Sequence, residues 1–167
     1  PARPSPATPA TAAGHGWAGQ VADGQSDAVV DEALRLGLDA VLESSGSDDL
    51  AALADAARYT RRYDVARAAF VAVRRRFGAS ERARLAAFSL GRLAESQRDT
   101  RVALSWFETF LMESPDGLYA SEALGRKMLL VERLDGREAA RPLAEAYERR
   151  FSTGTYAQAA HAITSGP

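Results

Sequence analysis

The sequence predicts an all-α solenoid, a fold in which helical hairpins stack side by side along one axis. From Trp17 onward, apolar residues recur at the three-to-four-residue spacing of amphipathic helices. The alternating pattern of strands bounded by hairpin turns does not occur, so we expect no sheet. Small and aromatic residues also return every 37 residues, which indicates a repeated helical unit.

Composition limits the functions to consider. The 167 residues suffice for one domain with its own core. A formal net charge of −1 does not favour a polyanionic partner, so we expect no nucleic-acid binding. The absence of cysteine excludes disulfides and thiolate metal sites. Because no apolar run reaches about 20 residues, we expect no membrane insertion by this part of the chain.

Residues 1–16 are predicted to form a flexible linker. Four prolines stand among alanine, threonine and serine, and no large apolar side chain is present. Such a segment buries too little apolar surface to offset its chain entropy, and it favours extended conformations. We interpret it as a spacer that joins the repeat domain, residues 17–165, to an upstream part of the protein.

Six segments carry a clear apolar stripe, and weaker elements stand at both ends. A degenerate pair is predicted over residues 16–37, with Gly24 at its turn, and a shortened capping helix over residues 155–163. The six clear segments are 49–59, 63–77, 85–95, 101–111, 120–134 and 137–151.

Polar residues at the segment ends predict where helices begin. Ser47 precedes a helix, and Asp48 and Asp49 are interpreted as favourable charges in its first turn. Asp99 is predicted to be an N-cap, and Asp135 is predicted to form a capping box with Glu138.

Three further features concern helix ends, bends and surfaces. Residues 74–76 are three arginines, interpreted as a solvated last turn where positive charge suits the helix dipole. Pro142 lies inside the last long segment, so we expect a lost backbone hydrogen bond and a bend there. Glu95 and Arg98 stand three residues apart and are interpreted as an ordinary surface ion pair.

The 37-residue spacing has a packing explanation. Ala66, Ala103 and Ala140 follow one another at this interval, and Phe70 is paired with Phe107. A small residue lets two helices approach closely, and an aromatic residue one turn later fills the space beside it. The stretches "PDGLYA" and "STGTYA" repeat at the same interval, and we expect them to be the joints between repeats.

These residues resemble the tetratricopeptide repeat. The match is strongest in "LAAFSLGRLAESQRDTRVALSWFETFLMESP", where Leu90-Gly91, Ala103, Phe107 and Pro115 occupy the signature positions. In the following repeat, Ala144 stands where the aromatic residue is expected. The resemblance implies a right-handed α-α solenoid of about three and a half to four hairpins that binds a protein partner.

A narrower resemblance concerns the cell envelope. The joint pattern Pro/Ser-x-Gly-x-Tyr-Ala-x-x-Ala is similar to that of bacterial envelope members, including the TolA-binding periplasmic coordinator and the outer-membrane assembly lipoprotein. The stretches "LADAARYTRRYDVARAAFVAVRRRFGASERARLAAFSLGRLAE" and "ESPDGLYASEALGRKM" resemble the C-terminal region of myxobacterial FecR-like anti-sigma-factor regulators. The resemblance implies a periplasmic or envelope location, and a cytoplasmic location stays open.

Catalytic patterns are weak, so we expect no enzyme, no metal and no cofactor. His15 and His161 each lack a second histidine at the spacing of a metal site. Ser89 lacks the preceding glycine of a nucleophile elbow. The aromatic residues Trp106 and Tyr119 are interpreted as packing residues, with contact to a partner as the alternative.

The resemblance implies that the first helix of each pair lines a concave, partner-binding groove. Arginines beside exposed aromatic residues suit an extended peptide or a carboxylate. Ala51, Asp55 and Ser89 stand at positions of the carboxylate-clamp subtype that need other residues, which argues against that subtype. The predicted groove residues are Asp55, Arg58, Tyr59, Phe88, Arg92, Glu95, Arg126, Leu129 and Arg133.

The sequence thus favours a non-catalytic protein–protein interaction module, a periplasmic sensing or scaffolding domain of an envelope regulator. Two alternatives stay open. One is a structural unit that self-assembles by stacking its repeats end to end. The other is an accessory domain of a cell-envelope assembly complex.

Overall fold

The computed structural model describes residues 14–166, and this part of the chain contains helices and turns but no strand. The prediction of an all-α fold is therefore confirmed. Residues 1–13 of the predicted linker lie outside the described residues. The helices are α1 (Trp17–Ala22), α2 (Ser26–Leu36), α3 (Leu38–Ser44), α4 (Ser47–Tyr59), α5 (Tyr63–Phe77), α6 (Glu81–Ser96), α7 (Thr100–Glu113), α8 (Ala120–Asp135), α9 (Arg137–Arg150) and α10 (Ala157–Ser165).

From α4 onward, each helix packs against the next one along the chain. The most extensive contacts lie within the pairs α4–α5, α6–α7 and α8–α9. Each pair then contacts the following one through α5 with α6, α7 with α8, and α9 with α10. Because most contacts join helices that are adjacent in the chain, the position of each helix depends on how it packs against the helix before it.

The degenerate pair predicted over residues 16–37 is present as α1 and α2, and the short helix α3, which was not predicted, follows it. Gly24 (φ 80°) forms the predicted turn between α1 and α2, and Gly37 (φ 90°) separates α2 from α3. The helices α1 and α2 pack on α4, while α3 packs on α5. Trp17 is fully buried there, and its Nε1–H donates to Glu32 at 3.1 Å.

Asp49 attaches the chain that precedes α1 to the first turn of α4. Its carboxylate accepts the backbone N–H of His15 at 2.7 Å and that of Trp17 at 3.3 Å. The His15 ring stacks on Trp17, with 4.2 Å between centroids. Asp49 is only 5% exposed, and its hydrogen-bond partners are backbone amides of a distant segment. Its interpretation as a charge at a helix end was therefore incomplete.

The three arginines at the end of α5 lie in its last turn, as predicted, but the interpretation as a solvated end was wrong for two of them. Arg74 donates to both carboxylate oxygens of Glu113, at 2.7 and 3.0 Å. This hydrogen bonding holds the pKa of Glu113 below its ordinary value. Arg76 donates to the carbonyl oxygens of Leu42 at 2.8 Å and Ser45 at 2.7 Å. The arginines therefore connect α5 to α3 and α7.

The predicted helix ends had mixed outcomes. Asp99 is an N-cap, because its carboxylate accepts the N–H of Val102 at 3.4 Å. The capping box at Asp135 and Glu138 is wrong, because α8 runs through Asp135 and Gly136 alone separates it from α9. The helix α9 continues on both sides of Pro142.

The repeated small residues form the contacts between helices. Ala66, Ala103 and Ala140 are fully buried. A Cβ atom at Gly91 would lie 2.7 Å from Cε1 of Phe107, so α6 and α7 approach more closely than a larger residue permits. These observations agree with the packing explanation of the 37-residue spacing.

The aromatic residue that seemed to be missing at Ala144 is found one turn later. Tyr147 is fully buried and stands 37 residues after Phe110, which is also buried. Its hydroxyl group lies 2.8 Å from Oγ of Ser121 and accepts the N–H of Tyr156 at 3.1 Å. Tyr147 therefore completes the core of the third pair, α8 and α9, and its hydroxyl group is hydrogen-bonded.

The two joints have the same backbone hydrogen bonds. In the first, Gly117 N–H donates to the Ser114 carbonyl at 3.2 Å; in the second, Gly154 N–H donates to the Phe151 carbonyl at 2.8 Å. A Cβ atom at Gly154 would lie 2.3 Å from the Tyr147 hydroxyl oxygen. At this joint glycine is needed because the core tyrosine lies against its backbone.

Replacement of Gly91 by alanine should lower the free energy of unfolding by about 2 kcal/mol, because the added methyl group meets the buried Phe107 ring. Gly19→Ala is the matched control, since nothing lies within 4 Å of a Cβ atom there and alanine favours a helix. Urea unfolding measures both. Equal stability of the two variants would contradict the close approach.

Arg98 has a φ of 62° in the turn after α6, a left-handed conformation that disfavours every residue with a Cβ atom. Arg98→Gly should therefore raise the free energy of unfolding by about 0.5–1 kcal/mol. The control Arg101→Gly, inside α7, should lower it by about 1 kcal/mol. Thermal unfolding distinguishes the two, and destabilisation by Arg98→Gly would argue against this backbone conformation.

Candidate partner-binding groove

A cleft of about 510 Å³ lies between α4 and α6, and we call it the first cleft. Its walls come mainly from the first helices of two successive pairs, and Tyr63 at the start of α5 and Tyr119 of the first joint also line it. The lining combines arginines, hydroxyl groups and aromatic rings. The lining residues are Asp55, Arg58, Tyr63, Leu85, Phe88, Ser89, Arg92, Leu93, Ser96 and Tyr119.

Tyr119 is held in the first cleft by stacking on Phe88. The two rings lie 4.6 Å apart between centroids and 5° from parallel. Phe88 is itself 3% exposed and packs against Phe107 and Phe110, at 6.0 and 5.4 Å between centroids. The Tyr119 ring therefore rests on the core of the second pair, and this support limits its movement.

A second cleft, of about 380 Å³, lies on the other side of Tyr119. It is formed by the two joints and the first turns of α8. The lining residues are Leu118, Tyr119, Ser121, Glu122, Arg126, Thr155 and Tyr156. Because Tyr119 lines both clefts, they adjoin along one surface, and we call this surface the groove.

The two joint tyrosines have different surroundings for a reason visible in the sequence. Phe88 and Gly125 are 37 residues apart, as are Tyr119 and Tyr156. Tyr119 stacks on a phenyl ring, whereas Tyr156 lies against the bare backbone of Gly125, where a Cβ atom would be 2.2 Å from its ring. Burial raises the pKa of the Tyr156 hydroxyl, against the opposing effect of Arg126.

Arg126 joins two carboxylates in an ion-pair network at the bottom of the groove. One amino group lies 2.6 Å from Oε2 of Glu95 on α6, and its Nε and Nη2 atoms lie 2.9 Å from Oε1 of Glu122 on α8. Burial lowers the pKa of Arg126, but the hydrogen bonds to Glu95 and Glu122 outweigh it and the pKa is raised. The predicted surface pair of Glu95 with Arg98 is wrong, because Glu95 faces α8 instead.

Arg92 and Arg58 are held more weakly than Arg126. The Nε atom of Arg92 is 3.9 Å from Glu122, which Arg126 already occupies, and its side chain is 48% exposed. Its guanidinium lies 6.0 Å from the Phe88 ring centroid. Arg58 makes one contact of 3.4 Å with Asp55. Both guanidiniums therefore retain donors that face the first cleft.

Five of the nine predicted groove residues line this surface, and a sixth, Glu95, lies beside it. Asp55, Arg58, Phe88 and Arg92 line the first cleft, and Arg126 lines the second. Glu95 belongs to the ion-pair network below them.

The other three predicted residues lie elsewhere. Tyr59 is 79% exposed at the end of α4 and lines neither cleft. Leu129 packs against the apolar cluster of the third pair, and Arg133 is exposed in the last turn of α8.

Sequence reasoning missed several groove residues. Tyr119 and Tyr156 were interpreted chiefly as packing residues of the joints, and they were not included among the predicted groove residues. Ser89 was considered only as part of a clamp or an elbow. Glu122 was missed although its pair with Arg126 is four residues apart on α8, whereas its approach to Arg92 on α6 arises only in the tertiary structure.

The histidines lie away from the groove. His15 stacks on Trp17, and exposed His161 is 3.2 Å from Glu148. Within residues 14–166, no group of three or more His, Cys, Asp or Glu side chains is arranged to hold a metal ion. None of the described helices is long and apolar enough to span a membrane.

No family model and no curated protein matches the chain. The geometry of the groove is therefore the main observation on which a function can be argued.

Arg126→Gln should lower the free energy of unfolding by about 1–2 kcal/mol, because half-buried Glu95 loses its cation and Glu122 keeps only Arg92 at 3.9 Å. Arg92→Gln is the matched control and should change it by less than about 0.5 kcal/mol. Urea unfolding measures both. A larger loss of stability in Arg92→Gln than in Arg126→Gln would contradict the conclusion that Arg126 is the more tightly paired arginine.

Proposed function

We propose that the chain is a non-catalytic interaction module that binds an extended segment of a partner protein in the groove. The observation that carries this proposal is the first cleft, which is open, about 510 Å³ in volume and lined by donors and aromatic rings from two first helices and a joint. Such a surface suits an extended peptide, whose carbonyl groups accept hydrogen bonds and whose side chains stack on rings.

The rigidity of the groove supports this proposal. Tyr119 is stacked on the core, and Arg126 joins α6 to α8, so these two parts of the groove are fixed before a ligand arrives. A preformed surface costs less conformational entropy on binding than one that must order its side chains. The stacked repeats thus provide positioned contacts rather than a reaction centre.

The biological setting in the proposal comes from the resemblance to envelope proteins. We infer a periplasmic sensing or scaffolding domain, in which the proline-rich segment spaces the groove from an upstream part of the protein. The joint sequences and the linker composition support this setting.

The groove is tested by selecting a random linear peptide library on the immobilised chain and measuring the enriched peptides by fluorescence anisotropy. Ser89 lies in the wall of the first cleft, so Ser89→Trp should fill the cleft and weaken binding at least about tenfold. Ser105→Trp is the matched control, since this exposed serine lies on α7 and lines neither cleft. It should leave the affinity unchanged.

Circular dichroism must show that both tryptophan variants fold. If Ser89→Trp disturbs the helix, Ser96→Trp takes its place, because Ser96 is exposed at the end of α6 and lines the same cleft. Peptides that bind the folded blocked variant as tightly as the original chain would refute the groove as the binding site.

A further inference from the structure

The first cleft carries more hydrogen-bond donors than acceptors. Arg58 and Arg92 each contribute a guanidinium, and Asp55 is the one carboxylate among the lining residues of the described chain. The remaining polar side chains are the hydroxyl groups of Tyr63, Ser89, Ser96 and Tyr119. The Ser96 hydroxyl already donates to the Leu93 carbonyl at 2.7 Å, but the other three hydroxyl groups can donate as well as accept, so a ligand rich in acceptors suits this lining.

The ion-pair network explains why Arg92 has donors to spare. Arg126 contacts Glu95 at 2.6 Å and Glu122 at 2.9 Å, so it takes both carboxylates that lie between α6 and α8. Arg92 is left 3.9 Å from Glu122, beyond the distance of a hydrogen bond. The Arg92 guanidinium can therefore donate hydrogen bonds to the carboxylate of a ligand without first breaking a close ion pair.

The charge of the lining limits the ligand further. Among the side chains that line the first cleft, two arginines and one aspartate leave one excess positive charge, and Glu122 of the second cleft stands 3.9 Å from Arg92. One carboxylate balances this charge, whereas a phosphate group with nearly two negative charges does not. The Phe88 ring below Arg92 also favours the cation in its present place.

We propose that the first cleft recognises an acidic side chain, aspartate or glutamate, within the extended partner segment, and that Arg92 with Arg58 receives its carboxylate. This inference rests on the proposed function, since it specifies the chemistry of the ligand at the same site. Arg92 is then the specificity-determining residue, and Arg126 holds the groove in shape.

The experiment uses the peptide that the selection enriches most on the folded chain. Asp or Glu should be enriched at one position, and replacing that residue by Asn or Gln should weaken binding about tenfold, the loss expected for a charge-assisted hydrogen bond. Raising the salt concentration should weaken the acidic peptide more than its amide version. A lysine at this position should bind more weakly than the amide.

Arg92→Gln should remove the preference for the acid over the amide, so that the acidic peptide and its amide version bind this variant with equal affinity. Arg101→Gln is the matched control, because this exposed arginine lies on α7 and lines neither cleft. It should keep the preference intact.

The results separate this inference from the proposed function. Peptides that are blocked by Ser89→Trp but show no acidic preference, or that keep the preference in Arg92→Gln, would overturn the inference and leave the groove standing. The absence of any enriched peptide sensitive to Ser89→Trp would overturn both.

Discussion

The close approach of α6 and α7 at Gly91 is the constraint on which the rest of the repeat architecture depends. The Phe107 ring lies where a side chain at Gly91 would be, and the second helices of the three pairs carry the buried alanines Ala66, Ala103 and Ala140. When two helices are this close, the aromatic residues beyond them have one place to pack. The packing of these aromatic residues fixes the position of the joints, and the joints determine which side chains face the groove.

Small departures from the repeat give the groove its shape. Phe88 supports Tyr119 between two clefts, whereas Gly125, one period later, lets Tyr156 lie against the helix backbone. The tyrosine of the joint therefore stands between two clefts in one repeat, as Tyr119, and packs against a helix backbone in the next, as Tyr156. A perfectly regular repeat would present identical surfaces, so the irregular positions make the two clefts differ.

The arginines differ in how closely they are paired with neighbouring carboxylates. Arg126 is half-buried and contacts two carboxylates, and these contacts offset its desolvation and favour a fixed pair. Arg92 is more exposed and loses this competition for Glu122. Similarly, Arg74 and Arg76 leave solvent to join neighbouring helices, although they belong to a basic run that alone suggests a hydrated helix end.

The sequence by itself determined the all-α fold, the six long helices and the two joints, because helical periodicity and a repeated packing residue are local patterns. It identified Arg58 and Arg92 as groove residues, but it also included Tyr59, which lines neither cleft. Tertiary structure alone decided the partners of Asp49 and Glu95, since these contacts join residues 34 and 31 positions apart in the sequence. Spacing predicts which face of a helix a side chain occupies, but the neighbour it meets depends on how the helices pack.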